Sequence, residues 1–281
     1  MEPDDFARMQ LSTEDGVATI MFDSPERRNA WGARTALEYR WALHWCHINP
    51  AVRVVVVTGK GDFCVGADSG ALDDIGTNGG AYEVDRAELP DFPAGTPEGF
   101  RRNHFYPLTI SVPVIAAISG ACAGAGFVVA SYADIRFADN SAKIATAFAA
   151  LGLPAEYGLG WLLPRMVGYA NAAALLYSAR PITASRAVAL GWVQREIESG
   201  HAVNDAVAYA RSLAHGSSAE SLRMMKRQLF TESAFEFSDA YKASVQYMDS
   251  ALGSEDFRTG VRALRGKRSP DFLAPRAVGT D

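Results

Sequence analysis

Two short stretches rich in small residues each follow an apolar run. GDFCVGAD (61–68) follows RVVVVTG, and GACAGAGFVVA (120–130) follows PVIAAIS. The second holds three glycines and four alanines in eleven residues, and no acid, base or nucleophile stronger than Cys122. Glycine and alanine leave peptide N–H groups uncovered, so something must approach these backbones closely. If the two preceding strands are neighbours, the turns lie side by side and two N–H groups converge on one oxygen. That is an oxyanion hole, which stabilises negative charge developing on a carbonyl oxygen. Losing one such donor typically costs about 10²–10³ in rate.

Other chemistries compete for the same residues. Gly120-x-x-x-Gly124-x-Gly126 after a strand also suits a dinucleotide pyrophosphate at a helix N-terminus. Two features count against it. The turn lies mid-chain rather than at the first strand, and none of the ten tyrosines has a lysine four residues on. Close packing of a helix on a strand is the plain alternative. Cys64 and Cys122 flank the turns, where a small buried hydrophobe is the ordinary role. His44 and His47 stand three apart on a predicted helix, but a metal site needs further ligands nearby.

These turns need strands and helices to hold them. GVATIMFDS (16–24) reads as a strand, and RVVVVTG (53–59) is a β-branched run of the kind that forms buried parallel strands. PVIAAIS (113–119) and ADIRFAD (133–139) are further strand candidates. NAWGARTALEYRWALHWCHI (29–48) places Leu37, Trp41 and Trp45 at four-residue spacing, which predicts a helix with one apolar face. Strand and helix alternate, so the expected class is α/β. Residues 76–99 are rich in Gly, Pro and acids without period and read as a long loop. From about 158 onward the pattern turns helical, and the chain passes through a basic stretch, RALRGKRSPDF (262–272).

The 281 residues are 48% hydrophobic and 21% charged, enough for a full core. A formal net charge of −5 gives no electrostatic reason to expect nucleic acid or an anionic membrane as partner. Three widely spaced cysteines, Cys46, Cys64 and Cys122, fit no disulfide framework or zinc site and suit a reducing cytoplasm. Met1 is followed by acidic residues, which predicts no signal peptide. The apolar runs stay short of the roughly 18–20 residues of a membrane span.

SPERRNAW, VVVVTGKGDFCVGAD, SVPVIAAISGACAGAGFVVASYADIRFA and LGLPAEYGLGWLLPRMVG are together similar to the crotonase, or enoyl-CoA hydratase/isomerase, superfamily. GWV (191–193) and ALRGKRSPDF (263–272) continue the match, which covers roughly residues 8–272. The resemblance implies a crotonase-like spiral of β-β-α units over residues 1–195 and a C-terminal helical region over 196–281. It implies acyl-CoA or enoyl-CoA substrates, with coenzyme A as part of the substrate and no separate cofactor or metal. It also implies a homotrimer or a hexamer formed as a dimer of trimers.

Carried residue by residue, the two oxyanion donors are the N–H groups of Ala67, within Gly66-Ala67-Asp68, and Ala125, within Gly124-Ala125-Gly126. Glycine is usual at the second position; alanine keeps the N–H provided φ is negative there. The two glutamates that serve hydratases of the family are replaced by Val128 and Phe148. One carboxylate remains, Glu156, at the offset where the superfamily's Δ3-Δ2-enoyl-CoA isomerases carry a single catalytic glutamate. A base of this kind takes a proton alpha to the thioester and returns it at gamma, if an apolar pocket raises its pKa toward neutrality. Val128 and Phe148 would supply the apolar wall. Capping of the following helix is the alternative role for Glu156. The expected reaction is isomerisation. Water addition or thioester hydrolysis by Glu156 is the alternative, and acyl-CoA binding without catalysis is a third reading.

For coenzyme A the resemblance points to Arg27, Arg28 and Ala30 at the phosphates and adenine. Val65 and Asp68 would line the adenine and pantetheine path, and Leu264 and Lys267 would contact the nucleotide, often of a neighbouring subunit. Asp68 is expected to be structural at its turn. His104, Tyr106, Tyr132 and Tyr157 are candidates for lining the pocket, with core packing as the ordinary use of such rings.

Overall fold

The computed structural model describes residues 1–68, 70, 84, 86–230, 232 and 236–272. Six strands form the main sheet: β1 (Met9–Glu14), β2 (Val17–Phe22), β3 (Val54–Gly59), β4 (Val114–Ile118), β6 (Ile135–Asp139) and β9 (Arg195–Ile197). They lie side by side in that order. The β1–β2 pair is an antiparallel hairpin; every later pairing in the sheet is parallel. A second sheet joins β5 (Ala121–Ala123), β7 (Lys143–Ala145) and β8 (Ile182–Thr183) in the order β5-β7-β8. The α/β class expected from the alternation holds.

The valine run of β3 has no polar face because helices cover both sides of it. Val55 and Val57 join the core that includes Leu43, Phe63 and Phe127. Val54 and Val56 join a second core with Ile115, Phe137 and four alanines of helix α6 (Ala202–Gly216). Those alanines, at 202, 206, 210 and 214, stand at four-residue spacing and are fully buried. Small side chains there bring the helix axis close to the sheet. The 195/196 boundary expected between core and helical region falls inside β9, which pairs with β6.

Helix α1 covers Ala33–Ile48, four residues shorter at its start than the sequence reading. Arg28 and Asn29 are left-handed, at φ 51° and 54°. The Asn29 side chain accepts from the Ser24 N–H at 2.8 Å and donates to the Asp62 carbonyl at 2.6 Å, which holds the turn open. Of the expected apolar stripe Leu37, Trp41, Trp45, Leu37 is buried and Trp45 packs against the core, but the stripe is not the centre of the buried face. The buried face runs through Tyr39, Ala42, Leu43 and Cys46, while Trp41 and Trp45 are only half-buried. Trp41 spends its indole N–H on the Glu88 carbonyl at 2.8 Å. Of the long loop 76–99, residues 76–83 and 85 lie outside the described residues; Arg86–Glu88 and Glu98–Phe100 are single 3-10 turns.

Helix α2 (Ala125–Ser131) follows β5; α3 (Leu159–Val167), α4 (Tyr169–Ser178) and α5 (Ala184–Ala189) follow β7 and β8 in turn. Beyond α6 come α7 (Ala219–Leu229), α8 (Phe237–Leu252) and α9 (Glu255–Arg265). The buried Lys226 of α7 donates to the carbonyls of Pro107 and Val112 at 2.6 and 2.7 Å and pairs with Asp134 at 2.8 Å. It thereby fixes the segment that leads into β4. Among the described residues no helix is long and apolar enough to cross a membrane.

Candidate functional site

The two small-residue turns do lie side by side. Cys64 and Cys122 form a parallel bridge, with the Cys64 N–H donating to Ala121 O at 3.0 Å and the Ala123 N–H to Cys64 O at 2.9 Å. Gly66 (φ +104°) and Gly124 (φ +51°) face each other, and a Cβ on Gly124 would stand 3.5 Å from the Gly66 Cα. Gly126 is more tightly placed: a Cβ there would come within 2.3 Å of the Cys64 carbonyl oxygen. Both cysteines are buried, and burial pushes the Cys64 thiol up to about 12, so neither is a nucleophile at neutral pH.

The bridge that orients the first turn runs through Trp31. Its N–H donates to Gly66 O at 2.7 Å and its carbonyl accepts from Asp68 N–H at 3.0 Å, leaving the intervening Ala67 N–H outside the ladder. Ala125 is the first residue of α2, where an amide has no intrahelical acceptor. Among the described residues neither amide has a backbone acceptor. Ala125 is right-handed, since the positive φ is carried by Gly124, so alanine keeps the N–H without strain.

Val128 and Phe148 are buried in the main core. Glu156 is half-buried in the loop before α3, and burial raises its carboxyl above the usual carboxylate range. Its backbone carbonyl accepts from the Leu159 N–H at 2.9 Å. The N-cap of α3 is Gly158, two residues beyond Glu156, and it has no side-chain hydrogen bond. Tyr157 and Gly158 are both left-handed, at φ 49° and 80°. This turn aims the chain into α3, and the Tyr132 hydroxyl secures it by donating to the Tyr157 carbonyl.

A cavity opens beside these elements, against α1. Trp31, Ala33, Ala36, Tyr39, Arg40 and Leu43 form one wall; Asn103, His104, Tyr106, Val129 and Tyr157 face them. Three lining residues adjoin the predicted site: Trp31 is bridged to Ala67, Val129 lies one turn after Ala125, and Tyr157 follows Glu156. Ala67, Ala125 and Glu156 themselves are not among its lining residues. Of the aromatic candidates, His104, Tyr106 and Tyr157 line the cavity, and Tyr132 acts through the Tyr157 carbonyl. Tyr39 and Arg40 were not singled out from sequence. Nothing in a helical run shows that Arg40 is buried, with its guanidinium 3.4 Å over the Tyr106 ring and 4.0 Å over Phe92.

The predicted coenzyme A residues divide between two ends of the chain. Arg27 pairs with Asp68, and Arg28 with Asp62 at 2.7 Å, both arginines being exposed beside the first turn. Ala30 and Val65 are half-buried there, and the Val65 N–H donates to the Arg28 carbonyl at 3.3 Å. Leu264 is exposed on α9 and Lys267 is left-handed just beyond it. His44 and His47 bond separately to Tyr106 OH and Ser111 Oγ, each at 3.0 Å. Among the described residues no group of three or more side chains is arranged to hold a metal ion.

A family model described as enoyl-CoA hydratase/isomerase matches residues 12–275. The chain is 31% identical, over 92% of its length and 95% of the relative's, to 1,2-epoxyphenylacetyl-CoA isomerase of Escherichia coli (strain K12). It is 27% identical, over 94% of its length and 97% of the relative's, to crotonyl-CoA hydratase of Syntrophomonas wolfei. A crystal structure of an enoyl-CoA hydratase from Polaromonas sp. JS666 superposes with a TM-score of 0.79 at 28% identity, covering 94% of this chain and 98% of that one.

Proposed function

The chain belongs to the enoyl-CoA hydratase/isomerase family, and we propose that within it the protein moves a carbon–carbon double bond in an enoyl-CoA thioester, with Glu156 as the single base. The thioester carbonyl oxygen sits against the N–H groups of Ala67 and Ala125. Glu156 takes a proton from the carbon alpha to that carbonyl, and the electron pair moves onto the oxygen as an enolate held by both amides. The protonated Glu156 then delivers the proton to the gamma carbon as the double bond shifts toward the carbonyl. The observation that carries this reading is Glu156 itself, a half-buried carboxyl raised by desolvation in the loop before α3, while Val128 and Phe148, at the positions where the family resemblance puts a carboxylate pair to activate water, are buried apolar side chains. The experiment compares a 3-enoyl-CoA with crotonyl-CoA as substrates. Isomerisation that disappears in Glu156→Gln is expected; efficient hydration of crotonyl-CoA without isomerisation would overturn it.

In this reading Arg27, Arg28 and Ala30 meet the nucleotide of coenzyme A, Val65, Gly66 and Asp68 line its path, and Gly124 clears the thioester. Coenzyme A arrives as part of the substrate and no separate cofactor takes part. Leu264 and Lys267 complete the nucleotide site of a neighbouring subunit in a homotrimer or dimer of trimers. The apolar face of α8 supports such an assembly: Phe237, Tyr241, Met248 and Leu252 are all exposed. Light scattering at micromolar concentration should give a multiple of three chains, and a stable monomer would refute it. The three buried free cysteines suit action in a reducing cytoplasm.

A further inference from the structure

The cavity against α1 is not a uniformly apolar slot. Three of the residues that line it hold a buried side-chain atom with no hydrogen-bond partner: Tyr39 Oη, Arg40 Nε and His104 Nε2. Among the described residues only two other atoms share that condition, Arg211 Nε and Glu232 Oε2, and neither residue lines the cavity. An unpaired buried polar group costs about 1–3 kcal/mol, so three on residues that line one cavity call for an explanation. The rest of each side chain is firmly held. The His104 ring stacks on Tyr157 at 3.8 Å between centroids. Arg40 donates through Nη2 to the Pro90 carbonyl at 2.7 Å and through Nη1 to Asn103 Oδ1 at 3.4 Å. Tyr39 packs edge-on against Trp31 and Phe22. The unpaired atoms are therefore preorganised rather than loosely placed.

We infer that this cavity receives the far end of a short acyl group bearing a hydroxyl, and that His104, Tyr39 and Arg40 are its specificity-determining residues. The inference rests on the acyl-CoA reading above. Its position follows from the three lining residues that adjoin the oxyanion turns and the Glu156 loop. Its size follows from a free volume of about 40 Å³. At roughly 10–15 Å³ per water-sized group that accommodates only a few heavy atoms. Gly32, Ala33 and Ala36 leave this room on the α1 side. Its chemistry follows from the donor set. Burial holds the His104 imidazole down at about 4, so it is neutral at pH 7 and its Nε2 can accept a proton donor. The Tyr39 hydroxyl stays protonated, because burial raises it, and the Arg40 Nε–H is a donor. A hydroxyl supplies the complement: lone pairs for two donors and one proton for the imidazole. A methyl group of similar size supplies neither and leaves all three atoms unpaired.

The test uses saturated acyl-CoA thioesters, which have no double bond to move, so binding is read without turnover. Isothermal titration calorimetry would compare 5-hydroxypentanoyl-CoA, whose hydroxyl lies beyond the gamma carbon, with hexanoyl-CoA, which replaces the hydroxyl by a methyl. The wild-type protein should favour the hydroxylated thioester by about 10-fold or more. His104→Phe keeps the stack on Tyr157 but removes Nε2, and Tyr39→Phe removes only the hydroxyl; each should erase most of that preference. Equal affinities in the wild type, as solvation of the three atoms by water alone would produce, overturn the proposal. So does a preference that survives both variants. If His104→Phe fails to fold, Tyr39→Phe decides the matter alone. Turnover of a 3-enoyl-CoA by Glu156→Gln would overturn the isomerase reading while leaving a hydroxyl preference intact, so the two failures are distinguishable.

Discussion

The Tyr132 hydroxyl, one residue beyond the end of α2, donates to the backbone carbonyl of Tyr157. The first residue of the same helix is Ala125. A seven-residue helix therefore carries a proposed oxyanion amide at one end and a clamp on the Glu156 loop at the other. Burial raises the Tyr132 hydroxyl above its usual range, which keeps it a donor across the working pH.

Tyr132→Phe removes that clamp with little change of volume. The Tyr157 carbonyl loses its donor, and the left-handed Tyr157–Gly158 turn loses a restraint on a conformation that an aromatic residue adopts at a cost. The expected outcome is a kcat lowered by about 10-fold or more, since misplacement by about 1 Å can cost ~10²-fold. Acyl-CoA affinity should hold, because the proposed coenzyme A contacts are elsewhere. Steady-state kinetics with a 3-enoyl-CoA measures both, and an unchanged kcat would separate the loop from the chemistry.

The raised carboxyl of Glu156 makes two linked pH predictions. A base must be ionised, so kcat/KM should rise with pH through a value above the ordinary carboxylate range and then level off. The stability effect has the opposite direction. A carboxyl with a higher pKa in the folded than in the unfolded chain binds more protons when folded, so its contribution to stability falls as pH rises between the two values. Glu156→Gln should therefore be more stable than the wild type at pH 7, with the gap closing below about pH 4, the unfolded carboxylate range. Urea melts at pH 4 and pH 7 would show it. A variant less stable at both would mean the carboxylate is held by interactions, not penalised by desolvation.

Sequence shows best what depends on neighbours in the chain. The β-branched run of β3 and the small-residue turns after β3 and β4 are legible because burial on both faces and bare backbone each demand particular residue types. The side-by-side placing of those turns depends on β3 and β4 pairing, a condition in the sequence reading that the parallel pair in the sheet meets. On α1 the tryptophans suggest the core face, yet Ala42, Leu43 and Cys46 form its centre, while Trp45 packs against the core half-buried and Trp41 meets a backbone carbonyl. The cavity was not legible at all. Tyr39 and Arg40 line one cavity with His104 only after the segment 103–107 has been carried back across α1, and a buried arginine has no signature in a helical pattern.

Gly126 shows how tightly the two turns are joined. A Cβ there would meet the Cys64 carbonyl oxygen at 2.3 Å and the Cys64 Cβ at 2.8 Å, closer than real side chains come. Gly126→Ala should destabilise the fold by about 1–3 kcal/mol or more, because one turn must be pushed off the other. Cys64→Ala should not rescue it, since both offending atoms remain in alanine. Chemical denaturation of the single and double variants tests this, and a single variant of wild-type stability would show that the turns are less closely packed than described.

The sharpest test of the oxyanion reading uses the helix position of Ala125. Proline is well tolerated at the first residue of a helix, where its fixed φ suits the turn and the missing N–H has no intrahelical acceptor. Ala125→Pro therefore deletes the one group the mechanism asks of this residue at small cost to the helix. Turnover should fall by about 10²–10³. The proline ring also adds atoms where the amide hydrogen pointed, so a second variant is needed to separate loss of the donor from loss of space. Ala125→Gly keeps the N–H and removes only a methyl; it should retain activity within a few-fold, with a stability loss of at most about 1 kcal/mol. Low activity in the proline variant beside near-normal activity in the glycine variant, with both folded by circular dichroism, is the pattern a backbone donor predicts. Equal activity in the two would mean that the thioester oxygen takes its hydrogen bonds elsewhere.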